Sequence, residues 1–162
     1  MADDTDIETL RQLLLDCRTV AVVGVSADWF RPSHFVAKYL LEHGYRMVPV
    51  NPRYPELLGQ RCWASLREAR DAVGPIDLVD CFRRSQDIDA IADEAIAIGA
   101  RALWMQIGVV NEAAAARARA AGLQVVMDRC VKIEHARMFG GLGWAGVNTG
   151  IVSSRRPRRL AY

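Results

Sequence analysis

Long apolar runs are missing from this sequence: nothing approaches the ~18 consecutive residues that cross a bilayer. The first residues, Met-Ala-Asp-Asp-Thr-Asp, lack the basic-then-apolar order of a secretory signal. A soluble, cytoplasmic protein with no membrane partner is the expectation. Cysteine is sparse, and Cys17, Cys62, Cys81 and Cys130 never fall in Cys-x-x-Cys pairs. That spacing argues against a zinc knuckle or a thioredoxin-type site, and it predicts buried free thiols and no metal centre. Internal repeats, low-complexity stretches and dividing linkers are absent too. Neither sign of charge dominates, with a net charge of +2. The charge is unevenly placed, however: residues 1–16 are acidic, and Arg155, Arg156, Arg158 and Arg159 make residues 155–162 a basic tail. Without interleaved aromatics or a recognition helix, that tail reads as solvated, or as packed on an oligomer partner. It does not read as a nucleic-acid arm.

What is present is an ordinary globular composition, 51% hydrophobic and 25% charged over 162 residues, the size of one domain. Two periodicities alternate along it. An N-terminal helix within residues 1–16, over about Ile7–Leu15, precedes Val-Ala-Val-Val-Gly-Val at 20–25, a continuous apolar run typical of a strand buried on both faces. A helix carrying Val36, Tyr39 and Leu40 follows and ends at Gly44. The cycle repeats with strands at Arg46–Val50, Asp77–Cys81, Ala102–Met105 and Leu123–Val126. Between them lie a loop over 53–63 and helices at Ser65–Ala72, after a Ser85 cap, and after an Asn111 cap. Five such alternations predict a single α/β domain: a Rossmann-like, doubly wound, parallel five-stranded sheet in the order 3-2-1-4-5, with helices on both faces. Ligands on such sheets bind beyond the carboxyl ends of the strands, at the switch point, here between strands 1 and 4. The loops to read are therefore 24–33, 51–54, 81–85 and 106–110, with the segment after Met127 closing over them.

The first loop offers Gly24 for a sharp turn, the Ser26 hydroxyl and the Arg31 guanidinium, all suited to phosphate; a packing glycine is the alternative. No Gly-x-Gly-x-x-Gly follows strand 1, and Asn51-Pro52 stands where a nicotinamide site needs an acid. No Gly-Lys-Ser/Thr loop occurs either. Ordinary NAD and ATP sites are both disfavoured. A Gly-x-Gly-x-x-Gly match at 141, 143 and 146 follows no strand and reads as a loop. Arg31, Arg53, Arg83 and Arg84 would surround one crevice, with Phe82 as an aromatic face, and a ligand with several phosphates and an adenine ring fits them.

Gly24-Val25-Ser26, Arg31-Pro32-Ser33, Val48-Pro49-Val50-Asn51-Pro52, Leu103-Trp104-Met105-Gln106-x-Gly108 and Met127-Asp128-Arg129-Cys130-x-Lys132-Ile133-Glu134-His135 together resemble the small single-domain CoA-binding protein family. That family is similar to the N-terminal CoA-binding domain of the succinyl-CoA synthetase α-subunit. The resemblance spans about residues 18–155 and implies CoA, or an acyl-CoA, as ligand. It implies a phosphate-cradling turn at Gly24, Val25 and Ser26, and a loop along the CoA at Asn51, Pro52 and Arg53. Phe82, Arg83 and Arg84 would border the adenine or phosphates, and Gln106 and Gly108 the pantetheine arm. The chain stops where the synthetase's histidine-bearing domain would begin. The expected function is therefore CoA holding without catalytic machinery. The alternatives are a CoA-binding subunit of an acyl-CoA enzyme completed by another chain, a nicotinamide-dependent oxidoreductase, or an interaction domain with a vestigial site.

The remaining polar residues read more simply. His43 caps carbonyls at a helix end. His135 packs, since its spacing from Cys130 suits one helix face poorly. Asp128 and Glu134 pair with Arg129, Lys132 or Arg137. Cys130 is the candidate redox thiol: Arg129 and Lys132 flank it and would lower its pKa, and a mixed disulfide with the CoA thiol would follow. Packing of the tail on the sheet is the plainer use of the same side chain.

Overall fold

A strand buried on both faces needs a layer on each side, and β1 (Thr19–Val23), buried at every position, sets the middle layer. The structure, a computed structural model, is described over residues 6–140; the glycine run at 141–146 and the basic tail at 155–162 lie outside the described residues. Four more parallel strands join β1: β2 (Arg46–Val50), β5 (Leu78–Cys81), β6 (Ala102–Met105) and β7 (Gln124–Val126). A two-stranded antiparallel hairpin, β3 (Glu56–Leu57) and β4 (Gln60–Arg61), fills part of the 53–63 segment expected as loop.

Alternate residues of the strands build two cores. Val20, Val22, Leu78, Ala102, Trp104 and Val126 face α1 (Ile7–Asp16), α2 (Pro32–Glu42) and α6 (Val131–Phe139). Ala21, Val23, Val79, Leu103 and Val125 face α3 (Leu66–Val73), α4 (Ile88–Ala97) and α5 (Glu112–Ala120). The Ala114, Ala115 and Ala118 stripe lets α5 lie close to the sheet. Local signals start several helices: Asp6 accepts from the Thr9 amide, Ser65 from Glu68 and Asn111 from Ala114. Ser85 instead begins a short 3-10 turn, and its Oγ accepts from the Val110 amide. No helix among the described residues is long and apolar enough to cross a membrane.

The doubly wound α/β class holds, but the strand order needs correction. The sheet runs β2-β1-β5-β6-β7, which is 2-1-3-4-5 for its five strands in chain order, and not 3-2-1-4-5. The physical reason is Pro49. In β2, Val50 turns its carbonyl toward β1, where it accepts from the Gly24 amide at 2.9 Å. Its neighbour Pro49 faces outward with no N–H to give, and proline is tolerated only on an edge. Segment 60–63 closes that edge, with Trp63 donating to the Pro49 carbonyl at 3.0 Å and accepting from the Asn51 amide at 2.8 Å. The third strand therefore crosses to the far side of β1, and the switch point falls between β1 and β5.

At the opposite edge of the sheet, Asp77 pins these two strands together. Its Oδ2 accepts from the backbone amides of Arg18 and Thr19, each at 2.9 Å. Asp77→Ala is expected to cost about 1–2 kcal/mol. Urea unfolding would show a lower midpoint at unchanged slope; an unchanged midpoint would show that the clamp adds nothing.

Candidate functional site

Parallel strands deliver all their carboxyl ends to one edge, so the loops that follow them share a single rim. At the switch point the loops after β1 and β5 touch. Gly24 adopts φ 83°, and a Cβ there would lie 2.3 Å from the Phe82 carbonyl oxygen, so only glycine fits. The β1–α2 loop is tied down by its own polar groups. Ser26 donates its amide to Ser33 Oγ at 3.0 Å, its Oγ accepts from the Asp28 amide at 3.1 Å, and its carbonyl meets His34 Nδ1 at 3.0 Å. α2 then starts at Pro32, which has no N–H, with no side-chain cap from Arg31; the His34 and Phe35 amides donate to the Arg31 carbonyl at 3.0 and 3.3 Å.

These loops surround a crevice of about 1000 Å³. Its two halves differ in kind. The loops after β1, β2 and β5 supply Arg31, Arg53, Arg83 and Arg84, with Asp87 as the one acid in the lining. The loops after β6 and β7 supply Gln106, Ile107, Val109, Cys130 and Ile133, none of them charged. Arg84 is held by Asp87 through two bonds of 2.9 and 3.2 Å, and Arg31 stands 4.0 Å from Asp28. Arg53 and Arg83 are exposed and form no salt bridge among the described residues, although the Arg83 charge helps hold the Asp87 carboxyl down.

Of the residues singled out from the sequence, the crevice brings together Gly24, Ser26, Arg31, Asn51, Arg53, Phe82, Arg83, Arg84, Gln106 and Cys130. Three fall elsewhere. Val25 is fully buried in the core, Pro52 lines an adjacent smaller hollow, and Gly108 turns at φ 82° with its amide bound to Asp128 Oδ1 at 2.7 Å. Asn51 is a clamp: its Nδ2 donates to the Val25 carbonyl at 2.8 Å and its Oδ1 accepts from the Arg53 amide at 3.0 Å. Among the lining residues not foreseen, Val36, Ile107, Val109 and Ile133 carry no chemical signal in a sequence. Tyr54 does, as an aromatic inside the loop already selected.

Below the uncharged half lies Asp80, also unforeseen, although an acid within Leu78–Cys81 interrupts an apolar strand. It is fully buried; Oδ1 accepts from Gln106 Nε2, and Oδ2 has no partner. Burial pushes its carboxyl up to about 7, against the opposing pull of the Gln106 hydrogen bond.

Cys130 departs from expectation in one respect. It lines the crevice, but burial pushes its thiol up, outweighing the downward pull of the nearby Ile133 and Lys132 amides and of the Lys132 charge. Of the flanking cations, Arg129 is engaged by Glu134 at 3.3 Å, while Lys132, with Nζ 5.8 Å from the Phe35 ring and 5.7 Å from the Tyr39 ring, pulls the thiol down by less than burial raises it. Glu134 is shared with Arg137, as the pairing of these charges predicts. His135 Nδ1 meets the Tyr39 hydroxyl at 2.8 Å, and His43 Nδ1 meets the Tyr39 carbonyl at 2.8 Å, so both histidines are occupied structurally.

Residues 18–136 match the sequence profile of the CoA binding domain. The chain belongs to that family. It is 39% identical over 127 residues to the uncharacterized protein YneT of Bacillus subtilis, covering 78% of this chain and 92% of that one. A hypothetical protein from Pyrococcus horikoshii OT3 superposes with a TM-score of 0.80 at 37% identity, over 86% of this chain and 96% of the other. The dinucleotide forming acetyl-coenzyme A synthetase 1 of Ca. Korarchaeum cryptofilum shares the fold, with a TM-score of 0.61 at 21% identity. That match covers 72% of this chain and 27% of the synthetase.

For this CoA-binding-domain chain, the buried acid makes a prediction about stability. Asp80 rises from its ordinary 3.8 to about 7 in the fold. Its contribution is complete below pH ~4 and is lost as pH rises through ~7, when a buried carboxylate must form. Asp80→Asn should gain stability over the wild type as pH rises, by on the order of 3 kcal/mol near pH 8. Urea unfolding at about pH 4.5 and about pH 8 checks this. A difference that does not change with pH would mean that the fold leaves the Asp80 carboxyl at its ordinary value.

Proposed function

We propose that the crevice holds coenzyme A, with its diphosphate and 3′-phosphate over the arginine half and its pantetheine arm along the uncharged half. The observation that carries this reading is the change in lining from Arg31, Arg53, Arg83 and Arg84 to Gln106, Ile107, Val109 and Ile133. CoA changes in the same sense along its length, from a multiply charged nucleotide to an uncharged arm ending in a thiol. The Gly24 turn and the start of α2 at Pro32 and Ser33 border the phosphate end. Arg53 and Arg83, which form no salt bridge among the described residues, are the cations best placed to take phosphate oxygens. A nicotinamide dinucleotide fits less well. The residue at its ribose position is Asn51, whose amide is already committed to Val25 and Arg53.

The chain acts in this reading as a holder of CoA or a CoA derivative. A second reading, a CoA-binding subunit completed by another chain, has one observation in its favour: this fold occurs as about a quarter of an acetyl-CoA synthetase. Cys130 stands in the half assigned to the arm. Exchange with CoA disulfide is the redox chemistry this position allows: the protein thiolate attacks one sulfur, a protein–CoA disulfide forms, and one CoA thiolate leaves and takes up a proton. Because the thiol is pushed up, the adduct should form faster at alkaline than at neutral pH and be absent from Cys130→Ser. Intact mass before and after dithiothreitol reads it; an adduct that persists in the variant would remove Cys130 from the reaction.

Calorimetry tests the central reading. CoA should bind, more weakly as salt rises, and dephospho-CoA should bind less tightly than CoA. Arg83→Ala or Arg53→Ala should lower the affinity about five- to tenfold. NAD bound with CoA ignored would contradict the assignment.

A further inference from the structure

Asp80 sits near the end of β5 with Val22 of β1 and Trp104 of β6 as its register neighbours, on the sheet face covered by α1, α2 and α6. A carboxyl among apolar side chains is costly, and one kept for structure alone would have both oxygens bonded. Here one oxygen has no partner, and the other is bonded only to Gln106. The single polar contact of this buried acid therefore leads to the crevice, because Gln106 lines its uncharged half. Among the described residues Gln106 Oε1 makes no bond and is not sealed off, so it is offered to whatever occupies that end.

The two terminal atoms of a glutamine amide match in shape and are opposite in hydrogen-bonding character. Whichever one Asp80 holds, the other turns to the crevice. A carboxylate can only accept, so it holds Nε2 and turns Oε1 outward. A carboxylic acid can still accept from Nε2 through its carbonyl oxygen, but it alone can also donate its O–H to Oε1, so only the acid form allows the reversed amide with Nε2 outward.

We propose that Asp80 is a positioning residue that sets the polarity of Gln106, so that the crevice discriminates between CoA with a free thiol and CoA carrying an acyl thioester. This rests on the reading of the crevice as a CoA site. With Oε1 outward, the site accepts from an S–H donor and repels the lone pairs of a thioester carbonyl. With Nε2 outward, it donates to that carbonyl. Since burial pushes the Asp80 carboxyl up to about 7, both states are populated near neutral pH.

The titratable neighbours are few. The Cys81 thiol on the same strand and the Cys130 thiol before α6 are both pushed up, first by burial and further by the Asp80 charge. The inward residues of α1 and α2 are Leu10, Leu13, Leu14, Val36, Ala37 and Leu40, and β1 and β6 present Val22 and Trp104. On α6, Glu134 is closed into its pairs with Arg129 and Arg137.

The experiment measures the ratio of dissociation constants, acetyl-CoA over CoA, by calorimetry from about pH 5.5 to about pH 8. Both ligands carry the same phosphates, so phosphate and arginine effects cancel in the ratio. In the wild type the ratio should rise about fivefold as Asp80 ionises, the worth of one hydrogen bond gained or lost. In Asp80→Asn, and in Gln106→Met, it should be flat. If Asp80→Asn does not fold, Gln106→Met carries the same comparison. A flat ratio in the wild type, or a pH dependence retained in either variant while CoA still binds, overturns this inference alone. Failure of both ligands to bind the wild type overturns the CoA reading and this inference with it.

Discussion

At Gly24 the loops leaving β1 and β5 pass so close that no side chain fits between them. The Phe82 carbonyl oxygen would stand 2.3 Å from any Cβ at that position. This contact is possible only because β5 lies beside β1, and that in turn depends on Pro49, which leaves β2 with an outer edge that no strand of the main sheet can join. One missing N–H and one missing Cβ thus bring four arginines from three loops to a common rim. The Asn51 clamp holds the β2 loop against the β1 loop, and Asp77 fixes the other end of the same strands. Rigid strands position the loops, and the loops carry the chemistry.

The crevice is organised along its length by electrostatics. Its cations come from the half built on β2, β1 and β5, and two of them form no salt bridge among the described residues. The other half excludes charge from its rim yet keeps one acid beneath it. That buried acid is an energetic liability for the fold, and its only bonded oxygen contacts a lining residue. A stability cost carried at a ligand site, with the local hydrogen bonding left incomplete, is the pattern expected where selection acts on binding more than on folding.

Much of this was legible in the sequence. The strands announce themselves because a sheet covered on both faces needs unbroken apolar runs, and the loops to search follow from the carboxyl-end rule. The order of the strands was legible too, but its signal was a single residue: Pro49, inside an otherwise apolar strand, marks an edge. Gly24 and Arg53 were legible as chemistry at loop positions, and Gln106 through the family resemblance. Val36, Ile107 and Ile133 were not, because an apolar side chain lining a crevice looks like one lining a core. Cys130 shows the limit of neighbour-in-sequence electrostatics. Arg129 turns to Glu134, and the pull of Lys132 is outweighed by desolvation, so the thiol answers to its burial. Asp80 was visible as an acid in a strand, but its isolation depends on Val22 and Trp104, which only the sheet register brings beside it.

The central claim is that one crevice takes the whole length of CoA. The most direct measurement is the backbone amide spectrum of isotope-labelled protein titrated with CoA. The account predicts shifts on both halves of the rim, at 24–33, 51–54 and 82–87 and also at 106–109 and 130–133. The amides at the opposite ends of the strands, near Thr19 and Asp77, should stay still. Shifts confined to the arginine half would mean that only the nucleotide is recognised, and a spectrum unchanged by CoA would contradict the account outright.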